Sequence, residues 1–553
     1  VNRTSPMAGQ QMKSKDLSAS WGVQLHKPRE VDRTYVAVRD GTKLYVEVYR
    51  PDSPGRFPAI LLMNPYHNVS VPPHSRTKSN HIEFTSRGYA VVESEVRGTG
   101  ISEGKFFFLR NDGKDGYDII RWIRDQPWCD GNVGLMGASY LGMDQFPIAA
   151  RNPPGLKAMF VGVAGADLYG DMVYPGGILN TMILRWAVNH AAHLLPPWVP
   201  QLFDMPQEID PRIYEMQEKI HCQRTQLMIK QALEGGGLYD NDFLKEWISH
   251  PTDGPFWRQD SPYNFFKSIR TPVYCQGGWF DFFIAGTIRS FVEIDAPKKL
   301  LIGPWFHGGK EGCDLLGVQL RWFDYWLKGI QNGIMEEPPV RVFVMGKDEW
   351  RFEDGWPPKS RTMRLYLRRG EPNPRHSLND GLLSTKPAAA DEEPDRISHD
   401  PANLVPSVAF RNADIRRAER ACLTYTTEPL SKDIELNGNV ELLLNASTNA
   451  FDVDWFAKLT RVIPEGDSIV ISSGVLRASH RRSHEHPQKL VPGRVYAMRI
   501  VMSPLCILIP KGHRLRLDLA NSDFPHFAPN LVASDNEVYH DARHRSCLIL
   551  SVR

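Results

Sequence analysis

The stretch GLMGASYLG, residues 134–142, decides how this chain folds. Residues 133–136 form a short apolar run that stops at Gly137, as a strand covered on both faces would. Gly137-Ala138-Ser139-Tyr140 then puts small residues in front of a serine, and Gly142 follows shortly after it. A sharp strand-to-helix turn that presents a nucleophile needs such residues, because the turn is strained and neighbouring chains pass close by. The spacing departs from G-x-S-x-G: Leu141 stands where the second glycine belongs, and Gly142 comes one place later. Alone, the motif says little, since small-residue turns between strand and helix are common in α/β proteins.

On its N-terminal side, residues 33–50 (RTYVAVRDGTKLYVEVYR) alternate around Asp40-Gly41, a hairpin signal. Two short apolar runs, residues 59–63 and 89–93, are bounded by turn residues. Between the second of them and Val133 lies DGYDIIRWIRD (115–125), with Ile119, Ile120 and Ile123 spaced for one helical face. Strand, helix, strand in this order predicts a doubly wound α/β layer. Residues 167–265 change character: 182–195, the proline-broken PPWVP and the Gln-, Met- and Lys-rich 208–233 read as a helical insertion. The α/β pattern returns in TPVYCQG (271–277) and KLLIG (299–303), and RWFDYWLK (321–328) predicts a closing amphipathic helix. Beyond about residue 361, short alternating segments at 363–367, 440–444, 455–459, 495–502 and 514–519 predict a β-sandwich. Asn437-Gly438, Pro492-Gly493 and Lys511-Gly512 are read as its turns. The expected division is a flexible leader (1–20), an α/β catalytic domain (21–166 and 266–360), a helical cap (167–265) and the sandwich (361–553).

Bulk numbers agree with several domains and remove some functions. A chain of 553 residues exceeds a single core, since cores stop growing at roughly 250–300 residues. With 66 basic and 64 acidic residues, net charge +2 and no basic stripe among aromatics, no nucleic-acid partner is expected. The seven cysteines are odd in number, far apart and never in a CxxC pair, which predicts no disulfide framework, no zinc site and a reducing compartment. No run approaches the roughly 18–20 apolar residues that span a bilayer, so no membrane partner is expected. Residues 1–20 lack the apolar core of a signal peptide. A cytoplasmic enzyme is the expectation.

Two further segments give Ser139 its companions. GGWFD (277–281) follows an apolar run and puts Asp281 at a strand's C-terminal end, and GPWFHGG (303–309) does the same for His307. In open α/β sheets ligands gather at the carboxyl ends of strands. The order Ser139, Asp281, His307 is the Ser…Asp…His order of α/β-hydrolases. A neutral imidazole takes the serine proton, while the carboxylate fixes its tautomer and stabilises the imidazolium. Each residue has a plainer reading alone: the chain has 18 histidines, and an Asp after a strand often only caps the next helix. In order, and each on a Gly-rich loop after an apolar run, they form a candidate triad.

The sequence resembles the cocaine esterase/glutaryl-acylase hydrolases, relatives of the X-Pro dipeptidyl peptidases. The matching blocks are NPYHN (64–68), VRGTGISEG (96–104), DGYDIIRWIRDQPWCDGNVGLMGASYLG (115–142), GGWFD, GPWFHG, RWFDYWLKG (321–329) and LRASHR (476–481). That family's elbow is G-x-S-Y-x-G, so the displaced Gly142 belongs to it. The resemblance implies an α/β-hydrolase core, an inserted helical cap and a C-terminal jelly-roll. Carried over by position, it implies Ser139 as nucleophile, His307 as general base and acid, and Asp281 as its orienting partner. It also implies an oxyanion hole made by the Tyr66 hydroxyl and the Tyr140 backbone N–H, with no cofactor and no metal. Without the resemblance, Tyr66 would read as a core tyrosine at a strand end.

Departures from the family narrow the substrate. Its amino-ester hydrolases hold the substrate ammonium with carboxylates, two of them just after the catalytic Asp, whereas Phe282-Phe283-Ile284 follow Asp281 here. The expected partner is a small-molecule ester, or amide, of a largely apolar acyl group, cleaved through an acyl-enzyme. His67, Trp186, Trp198, Trp257, Phe282 and Phe283 are the candidate pocket residues. Two alternatives stay open: the same triad passing its acyl group to another nucleophile or cyclising it, and a glycan- or partner-binding role for the jelly-roll. Self-association is left open too. Arg97 is expected to pair with Asp115 or Asp118 beneath the site. Trp122, Trp128, Trp279 and Trp305 read as core or pocket wall, and Asp452 and Asp454 in FDVDWF as solvated or capping rather than metal ligands.

Overall fold

The computed structural model describes residues 25–66, 76–191, 242–371, 373–407 and 415–553. The expected leader, His67, Trp198 and the segment 208–233 lie outside the described residues. The Asp40-Gly41 turn joins β1 (Asp32–Ala37) to β2 (Lys43–Tyr49), paired antiparallel with Val36 opposite Leu44. The sheet continues through β3 (Phe57–Asn64), β4 (Ala90–Glu95), β5 (Cys129–Ala138), β6 (Leu156–Gly162), β7 (Val273–Gly278), β8 (Lys298–Gly303), β9 (Val340–Val344) and β10 (Glu349–Glu353). Its order is β1-β2-β4-β3-β5-β6-β7-β8-β9-β10, and the strands from β4 to β9 along this path are parallel.

Alternate residues of these strands face two helical layers. Leu61, Val92, Leu135 and Val161 pack with Ile119, Ile120 and Ile123 of the helix Asp112–Arg124 and with Ile284, Ile288 and Phe291 of the helix Ile284–Glu293. Ile60, Leu62, Val91, Met136 and Phe160 pack on the opposite side with Phe84 and with Trp322, Phe323 and Leu327 of the helix Leu315–Lys328. Burial on both faces is why these runs are short and continuously apolar. The closing helix starts earlier than the apolar spacing suggested, because Asp314 caps it by accepting the Gly317 N–H at 2.9 Å.

The topology makes the crevice. Strand β3 is bonded to β4 on one side and β5 on the other, so the chain runs out to β4 and returns across β3. Such a reversal opens a cleft at the carboxyl ends of the two strands, here Asn64 and Ala138. Helices Thr181–Ala191, Asp242–Ser249 and Pro255–Arg258 of the insertion come between β6 and β7. Among the described residues, no helix is long and apolar enough to cross a membrane.

From Arg361 onward the described residues form an antiparallel β-sandwich, with a short parallel pair between Gly381–Ser384 and Leu423–Thr426 and a parallel bridge between Pro406 and Phe524. Leu365, Leu442, Trp455, Leu517 and Leu548 fill its interior. Two expectations are corrected. Asn437-Gly438 is no turn: it lies inside the strand Ile434–Thr448, where the register shifts between Gly438 and Val440. Gly438 has φ +131°, which suits a bulge that kinks one long strand. Asp454 is neither solvated nor a cap but is 1% exposed and bound by Arg477 through two bonds of 2.7 and 2.8 Å. Asp452 accepts the backbone N–H groups of Val453 at 3.0 Å and Ser479 at 2.9 Å. The sandwich is tied to the sheet edge by Met345, whose N–H donates to Cys506 and whose carbonyl accepts from Leu508. It meets the insertion where Thr181 N–H donates to His526 and Asp253 N–H to His484.

Candidate active site

Ser139 sits between β5 and the short helix Tyr140–Met143 with φ +62° and ψ −121°. A non-glycine residue pays of order 1–3 kcal/mol for such a backbone, and it persists only where its surroundings enforce it. They do so here. The Ser139 N–H donates to the Gly162 carbonyl at the end of β6, at 2.9 Å. A Cβ on Gly142 would lie 2.6 Å from that same Gly162 oxygen, so only glycine lets the elbow press against β6.

Asp281 and His307 follow the next two strands, β7 and β8, which pair in parallel with Gly278 opposite Gly303. Their loops are laced together: Trp279 N–H donates to Gly303 and Phe280 N–H to Trp305. The buried Trp279 and Trp305 anchor the loops by donating their indole N–H groups to Phe343 and Glu311 carbonyls. As a result His307 Nδ1 stands 2.8 Å from Asp281 Oδ2. Asp281 is 3% exposed, and its other oxygen accepts the Phe283 N–H at 2.6 Å. An ionised carboxylate only accepts, so Nδ1 carries the proton of this bond. Phe282 stacks on the His307 ring at 4.6 Å and Phe283 meets it at 69°. Both phenylalanines therefore brace the imidazole.

Tyr66 follows β3, the strand paired with β5, and strand adjacency brings it to the elbow. The Asn64 side chain accepts the Tyr66 backbone N–H at 2.8 Å and turns the chain inward. The buried Tyr66 hydroxyl is hydrogen-bonded with the Ser139 side chain, the Trp186 indole and the Tyr140 backbone N–H, and burial pushes its pKa up to about 12. The Tyr140 side chain points the other way, donating its hydroxyl to Asp112 Oδ2 at 2.7 Å.

Beneath the elbow lies a feature the sequence reading did not single out. Asp112 and Asp144 are both buried. Burial pushes the Asp112 carboxyl up to about 7, and burial plus Asp112 push Asp144 well above the usual carboxylate range. No motif marks such a pair, since each acid sits in an ordinary helical stretch. Nearby, Arg97 grips Asp115 with bonds of 2.9 and 2.7 Å and also reaches Asp40, while Asp118 pairs with Arg39.

The pocket candidates separate. Trp186, Phe282 and Phe283 stand beside Tyr66 and His307, whereas Trp257 does not. It is buried among Tyr169, Tyr174, Trp247 and Phe256 inside the insertion, with its N–H on the His250 carbonyl. Among the described residues, no group of three or more His, Cys, Asp or Glu is arranged to hold a metal ion.

A family model described as X-Pro dipeptidyl-peptidase (S15 family) matches residues 40–309, and one described as the X-Pro dipeptidyl-peptidase C-terminal non-catalytic domain matches residues 332–546. The chain is 31% identical to the cocaine esterase of Rhodococcus sp. (strain MB1 Bresler) over 533 residues, covering 90% of this chain and 91% of that one. A solved CocE/NonD family hydrolase from Staphylococcus aureus superposes with TM-score 0.73 at 22% identity, covering 95% of this chain and 94% of that one. An aminopeptidase from a marine sediment Thaumarchaeota archaeon superposes with TM-score 0.78 at 21% identity, covering 100% of this chain and 99% of that one.

Proposed function

The chain belongs to the CocE/NonD family of serine hydrolases, related to the X-Pro dipeptidyl peptidases, and from that premise we propose that it hydrolyses carboxylic esters of small, largely apolar acyl groups through an acyl-enzyme on Ser139. The observation that carries this reading is the Tyr66 hydroxyl, held against both the Ser139 side chain and the Tyr140 N–H. A base beside a serine would serve many reactions. Two donors converging beside the nucleophile serve one whose intermediate carries a new oxyanion.

In this mechanism His307 Nδ1–H stays on Asp281, and Nε2 takes the proton of Ser139 as Oγ attacks the ester carbonyl. The tetrahedral oxyanion accepts from Tyr66 and Tyr140, donors worth about 3 kcal/mol each in a water-poor site. Collapse expels the alcohol, which receives the proton from the imidazolium. Water then repeats the cycle on the acyl-enzyme. Support for an apolar acyl group comes from Phe282 and Phe283 around His307 and Trp186 beside Tyr66, and from Phe282-Phe283-Ile284, not carboxylates, directly after Asp281, where an α-ammonium would need a counter-charge.

The test is a panel of acyl esters and amides assayed with wild type and Ser139→Ala, together with fluorophosphonate labelling. Ser139→Ala is expected to abolish turnover and labelling without loss of fold. Labelling at another serine, or turnover by the variant, overturns the hydrolase reading. Faster turnover of α-amino-acyl esters than of benzoyl or short acyl esters overturns the substrate class alone.

A further inference from the structure

Trp186 belongs to the inserted helix Thr181–Ala191, outside the sheet that carries the triad. Its indole meets the Tyr66 ring edge-on, at 6.4 Å between centroids and 82° between planes. Its other side packs edge-on against Phe108 at 5.5 Å, and Phe108 in turn packs against Tyr140 at 4.8 Å. Trp186 thus touches Tyr66 directly and is linked to Tyr140 through Phe108.

The Tyr66 oxygen is hydrogen-bonded with the Ser139 side chain, the Tyr140 N–H and the Trp186 indole N–H. Two of them can only donate. A phenolic oxygen that accepts from an amide and an indole has its own proton to give to an acceptor beside it. Ser139 Oγ is such an acceptor, and it is the atom from which the tetrahedral intermediate grows. A phenol without the indole could instead turn its proton elsewhere and meet the nascent oxyanion with a lone pair.

We propose that Trp186 is a positioning residue: its indole N–H, donated to the Tyr66 oxygen, turns the phenolic proton toward Ser139 and keeps Tyr66 a donor to the oxyanion. This rests on the esterase reading above. The inserted helix then does more than cover the cleft, since it sets the polarity of one catalytic hydroxyl.

A double-substitution cycle tests this. Trp186→Phe keeps an aromatic ring and removes the N–H; it is expected to lower kcat about 5- to 30-fold, the range of one hydrogen bond, with KM changed less than threefold. In the Tyr66→Phe background, which has no phenolic proton to orient, Trp186→Phe is expected to change kcat less than twofold. Equal losses in both backgrounds, or a loss confined to KM, overturn the proposal and leave Trp186 as packing. If Trp186→Phe melts well below wild type, 3-benzothienylalanine at 186 removes only the N–H from the same ring shape and is read by the same criteria. Failure of the hydrolase reading is separate, since it shows as Ser139→Ala keeping turnover.

Discussion

Replacing Asp281 with asparagine alters the candidate triad by one group and nearly no volume. Both carboxylate oxygens are in use: Oδ1 accepts the Phe283 N–H at 2.6 Å, and Oδ2 faces His307 Nδ1 at 2.8 Å. An amide offers one acceptor and one donor, so Asp281→Asn has two ways to sit. With its oxygen kept on Phe283, the NH2 faces Nδ1, which must lose its proton to accept. The ring proton then moves to Nε2, the nitrogen needed to take the Ser139 proton. With the amide flipped, NH2 meets N–H at a buried contact of 2.6 Å, and the unmatched donors cost about 1–3 kcal/mol. The first arrangement therefore dominates, and it holds the wrong tautomer. Both arrangements also lose the anion that stabilises the imidazolium.

For the same change in the Ser-His-Asp template, kcat falls about 10⁴-fold. The expected loss here is about 10³- to 10⁴-fold at neutral pH, or roughly 4–5.5 kcal/mol of transition-state stabilisation. KM is expected to stay within threefold of wild type, because no group that contacts an acyl chain has changed. Steady-state kinetics on a soluble aryl ester, with a thermal melt to confirm the fold, decide it. A folded Asp281→Asn enzyme with kcat within tenfold of wild type would refute the assignment of Asp281 as the residue that orients the base.

Two further outcomes concern the scaffold under the site. Arg97→Ala strands the buried Asp115 carboxylate, which Arg97 holds through two bonds; breaking one side of such a pair costs about 3–5 kcal/mol. Urea unfolding should show that loss, and a penalty below about 1 kcal/mol would mean that the pair is solvated in practice. Asp112 has its carboxyl raised by burial to about 7, so the folded state holds a proton that the unfolded chain releases near pH 4. Wild-type stability attributable to this group is present below about pH 4 and lost as pH rises toward 7, by on the order of 4 kcal/mol in full. Asp112→Asn removes that slope, so its melting temperature relative to wild type should climb between pH 5 and 8. A difference that stays flat across this range contradicts the burial argument.

How much of this was legible in the sequence follows from what burial does to residue choice. Parallel strands covered on both faces must be apolar and their loops must turn tightly, so GGWFD and GPWFHG announce the positions of Asp281 and His307 without any structure. Strand β6 follows the same rule in LKAMFVG after Pro153-Pro154-Gly155. Asn437-Gly438 misled because the dipeptide that makes a two-residue hairpin also makes a bulge, and only the partner strands tell them apart. Asp454 misled because alternation gives the face of a strand but not whether an arginine waits there. Trp186 shows the limit of periodicity: a tryptophan in an amphipathic helix is marked as inward, but which hydroxyl its N–H meets depends on a strand more than a hundred residues away.

The displaced glycine of the elbow is the case where sequence and structure explain each other. In G-x-S-x-G the second glycine would fall on 141, yet Leu141 is half-buried and packs among the apolar side chains on both sides of the sheet. The close approach comes one residue later, where the first helical turn after Ser139 presses residue 142 onto the Gly162 carbonyl, with the Ser139 N–H bonded to that same oxygen. One backbone oxygen of β6 thus fixes both the strained serine and the need for glycine beside it. The motif shifts because the contact that constrains it is made by residue 142. Any chain whose elbow leans on its neighbouring strand in this way should carry its second glycine at the same offset from the serine.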